Sequence, residues 1–424
     1  MSMFGLADCN NFYCSCERVF NPALRTSPVV VLSNNDGCII ARSNEAKALG
    51  IDMGAPFYKM KDFLERNKVA VFSSNYTLYG DMSRRVMMLL DHFAPGLTQY
   101  SIDEAFIDLS GFGEGEALSS YGRQIVRSVS RGTGIPITLG IAPTKTLAKV
   151  ASRYGKRFKG YKGCCLIDTE DKRVKAIKGI SVADVWGIGR HTAQKLEYYG
   201  IHTAWDFTQK SESWVRRVLT VTGVRTWREL RGESCIDIDE LPQKKSICTS
   251  RSFPDNGISE LGTLEEAVAN FAAACSRKLK EQKSCCRAIT VFAYTSRFRT
   301  DAPGSAISRT LSFSVPTNDL REIVSKAMTA LRSQWDKAAT YFYKKAGVIV
   351  SDICPDNAIQ TDLFDPIDRE KQARLAAAVD AVNRKNGYNT VKTAVQGTDK
   401  RWHMKHEHES KRYTTNLNDI IEVR

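Results

Sequence analysis

Three carboxylates stand where apolar runs end. Asp8 follows residues 4–7, and Asp103-Glu104 separate residues 99–102 from residues 105–109. Acids at strand tips, in a chain of net charge +14, suggest a bound cation. Three carboxylates in one place cannot all stay ionised without a counter-charge. Two divalent ions about 3.5–4 Å apart would supply it, and such pairs serve enzymes that make and cut phosphodiesters. Mg²⁺ suits oxygen ligands and keeps waters and substrate phosphates in its shell. Asp-Glu is also ordinary turn chemistry, so the pair alone decides nothing.

Other residues could complete such a site. Lys145 and Lys149 are four apart in the first turns of a helix after Gly140-Ile141-Ala142-Pro143-Thr144. Their shared face, with the helix dipole and free N–H groups, suits a triphosphate; a solvated lysine stripe has the same spacing. Phe12-Tyr13 lie just beyond Asp8 and could floor a nucleotide sugar, or simply pack in a core. Val185-Trp186-Gly187-Ile188-Gly189-Arg190 has the shape of a helix-hairpin-helix, whose N–H groups can face a DNA phosphate; plain helix connections also use Gly-Ile-Gly. Gln360-Thr361-Asp362-Leu363-Phe364 puts an apolar pair in a polar loop, either as a partner-docking peptide or as an anchor for the tail.

The elements that must position these groups are a mixture. Strands are expected at 4–7, 29–32, 38–41, 99–102, 105–109 and 135–141, with Asp36-Gly37 and Asp103-Glu104 as hairpin turns. Helical periodicity marks 44–49, 81–93, 118–129 and the segment capped by Thr144. Residues 1–170 therefore read as α/β with a largely antiparallel sheet. A small helical unit follows over 171–235, then a polar linker around 237–245. Residues 246–353 read as α+β, with strands at 289–294, 311–315 and 346–350 and helices near 263–282 and 318–338. The tail carries one apolar helix near 372–383.

With 424 residues the chain is too long for one core. It has no apolar run long enough for a membrane span, and its N-terminus lacks a basic and apolar leader, which predicts a cytoplasmic protein with no membrane partner. Its 12 cysteines are scattered and many lie in apolar runs, so reduced, buried thiols are expected. Cys9, Cys14 and Cys16 lack the second pair that zinc would need. His403, His406 and His408 read as a solvated polar stretch. Half of the positive surplus, +7 of +14, falls in residues 243–353, the best candidate for gripping a nucleic-acid backbone.

Together these residues resemble the Y-family of translesion DNA polymerases, and within it the UmuC-like catalytic subunits of bacterial DNA polymerase V and their plasmid-borne relatives. The carrying segments are Asp8-Cys9-Asn10-Asn11-Phe12-Tyr13, Ser33-Asn34-Asn35-Asp36-Gly37-Cys38, Tyr100-Ser101-Ile102-Asp103-Glu104-Ala105-Phe106, the Lys145/Lys149 helix, Val185-Trp186-Gly187-Ile188-Gly189, Ser250-Arg251-Ser252-Phe253 and, in the tail, Trp402-His403-Met404-Lys405 and Arg412-Tyr413-Thr414-Thr415. The resemblance implies a right hand: palm at 1–20 and 80–170, fingers at 21–79, a helix-hairpin-helix thumb at 171–237, a linker at 238–245, a little finger at 246–353, and a clamp-binding loop with a C-terminal tail domain at 354–424. It implies two Mg²⁺ on Asp8, Asp103, Glu104 and the Cys9 carbonyl, with Asp8, Asp103 and Glu104 catalytic. Tyr13 matches the steric gate against ribonucleotides, and Phe12 supports the same floor. Lys145 and Lys149 match contacts to triphosphate or DNA. Many relatives carry a Tyr and an Arg in the fingers helix; here Asn44 and Lys47 stand instead, with Lys47 as a point charge. Gly187, Gly189, Arg190 and Arg251 match DNA contacts, and Gln360, Leu363 and Phe364 match a sliding-clamp motif.

The implied activity is error-prone, template-directed synthesis from dNTPs on primer-template DNA past damage, in SOS mutagenesis and DNA repair. Its implied partners are the clamp, a UmuD-like processed dimeric accessory subunit and RecA, at the bacterial nucleoid. Two readings compete with it: a clamp- or recombinase-binding regulator of replication whose polymerase activity is secondary, and, more weakly, a two-metal nuclease.

Overall fold

Strand parity organises the first part of the chain. The computed structural model describes residues 2–237, 244–299, 302–360, 362–387, 389–398 and 401–422. They fall into two units, one of residues up to 237 together with 407–422, the other of residues 244–406. In the first unit β1 (Phe4–Cys9), β5 (Leu97–Gln99), β6 (Glu104–Asp108), β7 (Ile137–Ala142) and β8 (Cys164–Leu166) form a sheet in the order β5-β6-β1-β7-β8. Every pairing is antiparallel except β7 with β8.

Side chains alternate faces along a strand, and the register carries that alternation across the sheet. Ala7, Ala105 and Leu139 lie abreast and enter a core shared with α1 (Phe12–Phe20), α4 (Tyr76–Asp91) and α5 (Gly115–Thr133). Leu6, Phe106 and Gly140 lie abreast on the other face, beneath α6 (Lys145–Arg157). Asp8, Glu104 and Thr138 lie two residues along from these in each strand, and therefore on the same face.

Helix α6 comes very close to this sheet because Gly140 has no side chain. A Cβ there would stand 2.1 Å from the Ser152 nitrogen and 2.2 Å from the Ala148 carbonyl oxygen. Gly155 gives relief from the helix side, where a Cβ would meet Thr138 Cγ2 at 2.8 Å. The far side of α6, through Leu147, Val150 and Ala151, shares a core with a helical layer of α7 (Glu170–Lys178), α8 (Arg190–Tyr198), α9 (Ala204–Thr208) and α10 (Glu212–Leu230).

A second small sheet pairs β2 (Val29–Leu32) antiparallel with β3 (Ile39–Arg42) and parallel with β4 (Ala70–Ser73). With α2 (Asn44–Ala48) and α3 (Phe57–Arg66) it buries Val30, Leu32, Ile39 and Leu64. The expected Asp36-Gly37 turn is a short 3-10 segment in which Asn35 and Asp36 take positive φ.

The second unit is an antiparallel sheet in the order β11-β10-β12-β9, formed by β9 (Ser246–Ser252), β10 (Ser284–Thr295), β11 (Ala306–Thr317) and β12 (Tyr343–Pro355). One face packs on α11 (Leu261–Glu281) and α12 (Leu320–Arg332), with Phe271, Val291 and Val348 in the core. Helix α13 (Arg369–Asn386) is tied to α12 by Arg369, which donates to Glu322 at 2.6 Å, and to α11 by Lys280, which pairs with Asp380 at 2.8 Å.

One expectation needs correction. Residues 99–102 do not form a strand as a block: β5 ends at Gln99, because Tyr100 and Ser101 give both N–H groups to the Glu104 carbonyl and so make the turn. Residues 354–424 divide between the two units. Trp402 is buried against Phe271 in the second unit, whereas residues from 407 onward return to the first. His403 and His408 are exposed, as a solvated stretch implies, but the His408 ring also meets Phe57 edge-on at 5.8 Å. All 12 cysteines are free thiols, and no described helix is long and apolar enough to cross a membrane.

The Gly140 contact predicts that Gly140→Ala costs roughly 3 kcal/mol or more, because rigid backbone rather than a movable side chain fills the space. Urea unfolding of the purified variant measures it; a loss below about 1 kcal/mol would show that α6 can move off the sheet without penalty.

Candidate active site

The Asp103-Glu104 turn is built by Ser101. Its Oγ donates to Asp103 Oδ1 at 2.5 Å and accepts the N–H groups of Asp103 and Glu104 at 3.2 and 3.1 Å. The Asp103 carbonyl then accepts the Cys9 N–H at 2.9 Å, which locks this turn to the end of β1. Asp8 and Glu104 are direct cross-strand partners. The backbone thus sets Asp8 beside Glu104 and ties the Asp103 turn to the end of β1.

Each of the two paired acids meets a lysine from α6. Lys156 Nζ lies 2.5 Å from Asp8 Oδ2, and Lys149 Nζ reaches both Glu104 oxygens at 3.0 and 3.1 Å. Lys149 is also boxed by aromatic rings, 4.6 Å from the centre of Tyr100 and 5.3 Å from that of Trp186. The Trp186 indole N–H donates to the Tyr100 hydroxyl at 3.1 Å and fixes the box. Burial pushes the Asp8 carboxyl up to about 6; the Lys156 charge opposes this, and the charges of Glu104 and Asp103 add to it. Asp8, Glu104, Lys149, Lys156 and Trp186 line a cavity of about 380 Å³ that also touches Arg153 and Asp184.

Lys145 is not part of this group. It is buried, donates from Nζ to the Ile236 carbonyl at 2.8 Å and sits 4.7 Å from the Phe4 ring centre. The start of α6 is closed as well: the buried Glu229 carboxylate accepts the Thr146 N–H at 2.9 Å and the Cys235 and Ile236 N–H groups at 2.9 and 3.1 Å. An internal carboxylate therefore occupies the helix end expected to hold a triphosphate.

Beside the acids lies an aromatic floor. Phe12 is buried, and Tyr13 is half-buried with its ring stacked on Tyr79 at 4.6 Å and edge-on to Tyr76 at 5.9 Å. Burial pushes the Tyr13 phenol up to about 12, with the neighbouring phenol of Tyr76 and the Asp103 charge adding to it. Across from it, Lys47 donates to Asn11 Oδ1 at 2.6 Å while Asn11 donates to Asn44 Oδ1 at 3.0 Å. Asn11 holds a left-handed φ of 48° just before α1, which presents its side chain to the small sheet. Burial lowers the Lys47 pKa, and the nearby charges of Arg42 and Lys156 lower it further. Lys47 thus lies within the field of two other cations, Arg42 and Lys156, the last of which pairs with Asp8.

The remaining predicted residues lie elsewhere. Gly187 turns the chain at φ 87°, Gly189 is the N-cap of α8, and Arg190 is exposed at its first position. By register Arg251 falls on the helix-covered side of its sheet, beside Ala346, with its guanidinium 5.9 Å from the Trp402 ring centre, rather than on the open face that carries Tyr294 and Lys345. Leu363 and Phe364 are 91% and 86% exposed, and the neighbouring Gln360 is exposed too. Thr361 lies outside the described residues.

Among the described residues no three His, Cys, Asp or Glu side chains are grouped to hold a metal ion as they stand. The expected convergence of three carboxylates is replaced by carboxylate–lysine pairs. The donor set nevertheless fits a hard divalent cation, being all oxygen, and the backbone already aligns Asp8 with Glu104 and Asp103 with Cys9. Lys156 is the principal residue the sequence reading missed. It is seven positions beyond Lys149, two helical turns, and so shares its face; that spacing was the available signal.

The chain matches the impB/mucB/samB family over residues 7–153, the C-terminal domain of that family over 244–363, and a domain of unknown function over 373–423. It is 41% identical to the protein UmuC of Salmonella typhimurium over the full length of both chains. It is also 41% identical to the protein ImpB of Salmonella typhimurium, covering 99% of each chain. DNA polymerase IV of Oceanobacillus iheyensis is 26% identical over 91% of this chain and 89% of its own. Among solved structures, a Y-family DNA polymerase chimera built from Dbh and Dpo4 superposes with a TM-score of 0.65 at 20% identity, covering 83% of this chain and 99% of its own.

The Lys156–Asp8 pair predicts competition with cations. Lys156→Gln removes the internal counter-charge and should tighten Mn²⁺ binding to the free protein by about three- to tenfold, read by electron paramagnetic resonance of unbound Mn²⁺. An unchanged affinity would mean that the pair does not guard the acids.

Proposed function

Because the chain belongs to the impB/mucB/samB family, the UmuC-like branch of the Y-family DNA polymerases, we propose that it extends a primer across damaged DNA by two-Mg²⁺ nucleotidyl transfer at the Asp8–Asp103–Glu104 cluster. The observation that carries this reading is the backbone alignment of these acids at strand ends, with two lysines and a stacked tyrosine converging on them. In this reading the five-stranded sheet is the palm, the three-stranded sheet the fingers, α7–α10 the thumb and the four-stranded sheet the little finger.

The primer 3′-hydroxyl gives its proton to water as its oxygen bonds to the α-phosphorus of a dNTP and the bond to pyrophosphate breaks. Mg²⁺ held by Asp8, Asp103, Glu104 and the Cys9 carbonyl would supply a more acidic primer hydroxyl and neutralise charge on the departing pyrophosphate. The protein's own residues bind and orient. Lys156 and Lys149 hold Asp8 and Glu104 in ion pairs until an entering triphosphate draws the ammonium groups to its own oxygens. Lys47, with Arg42 nearby, meets the triphosphate from the fingers as a point charge. Tyr13, braced by Tyr79 and backed by Phe12, closes the space under C2′. Gly187, Gly189 and Arg190 offer N–H groups and charge to a duplex phosphate.

A partner-binding role has its own support. Leu363 and Phe364 stand free of any core beside Gln360, which suits docking into an apolar pocket on the sliding clamp. A UmuD-like accessory dimer and RecA complete the proposed assembly.

Asp103→Asn and Glu104→Gln should each lower primer extension with Mg²⁺ and dNTPs by about 10³-fold or more. Activity equal to wild type would remove the site assignment. Tyr13→Ala should raise ribonucleotide incorporation relative to deoxyribonucleotide. Phe364→Ala should abolish stimulation by the clamp in a processivity assay, and undiminished stimulation would exclude the loop as the clamp contact.

A further inference from the structure

Residues 407–413 return from the second unit's boundary to cross the first unit, and they do so at the wall behind Tyr13. The His408 N–H donates to Ser73 Oγ at 2.9 Å, and the Ser73 N–H donates back to the His408 carbonyl at 3.0 Å, along β4. Asn75, the N-cap of α4, uses its carboxamide oxygen for the Leu78 N–H and its NH₂ for the Ser410 carbonyl and hydroxyl, at 3.0 and 3.1 Å. The Tyr413 ring stacks on Phe20 at 4.7 Å, at the far end of α1.

Between these two anchors Ser410 reaches a buried acid. Its hydroxyl donates to Glu17 Oε1 at 3.1 Å, and the same oxygen accepts the Tyr79 hydroxyl at 2.6 Å. Glu17 is 2% exposed and Tyr79 is fully buried. Tyr79 in turn is the ring on which Tyr13 stacks, with an angle of 18° between the planes. The tail is therefore two hydrogen bonds and one ring contact from the residue that floors the sugar site.

We propose that residues 407–413 are a strap that positions Tyr13 through Ser410, Glu17 and Tyr79, and so helps set discrimination between deoxyribo- and ribonucleotides. This rests on the reading of Tyr13 as the sugar gate. Ser410 is a positioning residue: it touches no substrate, and it acts by fixing which way the Glu17 carboxyl, and hence the Tyr79 ring, is held. The strap also ties β4 and the start of α4 to α1, across the junction of the two sheets of this unit.

The test is single-nucleotide primer extension with the full chain and its accessory proteins, comparing kcat/KM for a dNTP and its matching rNTP. Ser410→Ala is expected to raise the rNTP/dNTP ratio by about three- to tenfold, the scale of one lost hydrogen bond to a buried acid, with Ser410→Thr close to wild type. Ser73→Ala, which loosens the strap at its other anchor, should move the ratio in the same direction. An equal fall for both nucleotides in Ser410→Ala would mean a merely structural tail and overturn the proposal. Tyr13→Ala separates the layers: if it raises the ratio while the strap variants do not, the gate stands and the strap falls. If Tyr13→Ala itself leaves the ratio unchanged, the gate reading falls and the strap with it.

Discussion

The arrangement of the candidate active site depends on one backbone contact, α6 seated against β7 at Gly140. A side chain at that position would overlap Ser152 and Ala148 main-chain atoms, so only glycine lets the helix lie at this height. From there Lys149 and Lys156, two turns apart on one face, reach Glu104 and Asp8 two residues further along the same face of the sheet. The helix is held down from behind as well. Glu229 near the end of α10 accepts the Thr146 N–H, and the Thr144 hydroxyl donates to the Glu229 carbonyl at 2.9 Å. A carboxylate so placed satisfies the helix end and leaves the lysines, rather than the dipole, as the charge that faces the acids.

Those ion pairs suit exchange rather than stability. The side chains of Glu104 and Lys149 are 19% and 17% exposed, and Lys156 is 37% exposed, so water competes for each. A partly exposed pair of this kind contributes roughly 1 kcal/mol or less. Phosphate oxygens and divalent cations bring far larger charge-assisted interactions. The lysines thus offset the charges of Asp8 and Glu104 through contacts weak enough to be exchanged. The aromatic box on Lys149 limits where that ammonium can go when it lets go of Glu104.

Local chemistry was legible in the sequence, and non-local partnership was not. Apolar runs beside Asp8 and Asp103-Glu104 located the end of β1 and the start of β6, though not the end of β5 at Gln99. Family segments then pointed to a polymerase, which the full-length similarity to UmuC supports. Lys145 and Lys149 looked alike by spacing, but their fates differ through Ile236 and Glu104, which are 91 and 45 residues away. No periodicity could sort them. Lys156 shared the helical face and was overlooked because the stripe was read as a pair. The division of the tail was hidden for the same reason as Lys145: the bond from Ser410 to Glu17 spans 393 residues and leaves no local trace.

Glu17 shows why such a distant link would be kept. A carboxyl at 2% exposure is costly, and burial pushes it up to about 7 although the hydroxyls of Tyr79 and Ser410 both donate to it. An apolar residue in its place would pack more cheaply but would leave two hydroxyls without their acceptor and the Tyr79 ring without a fixed direction. Tyr13 and Glu17 sit four apart on α1, so the helix that presents the Tyr13 ring also carries the group that orients Tyr79, the ring Tyr13 stacks on. The polar link gives up some stability to fix the direction of the Tyr79 ring and of the Tyr13 ring stacked on it.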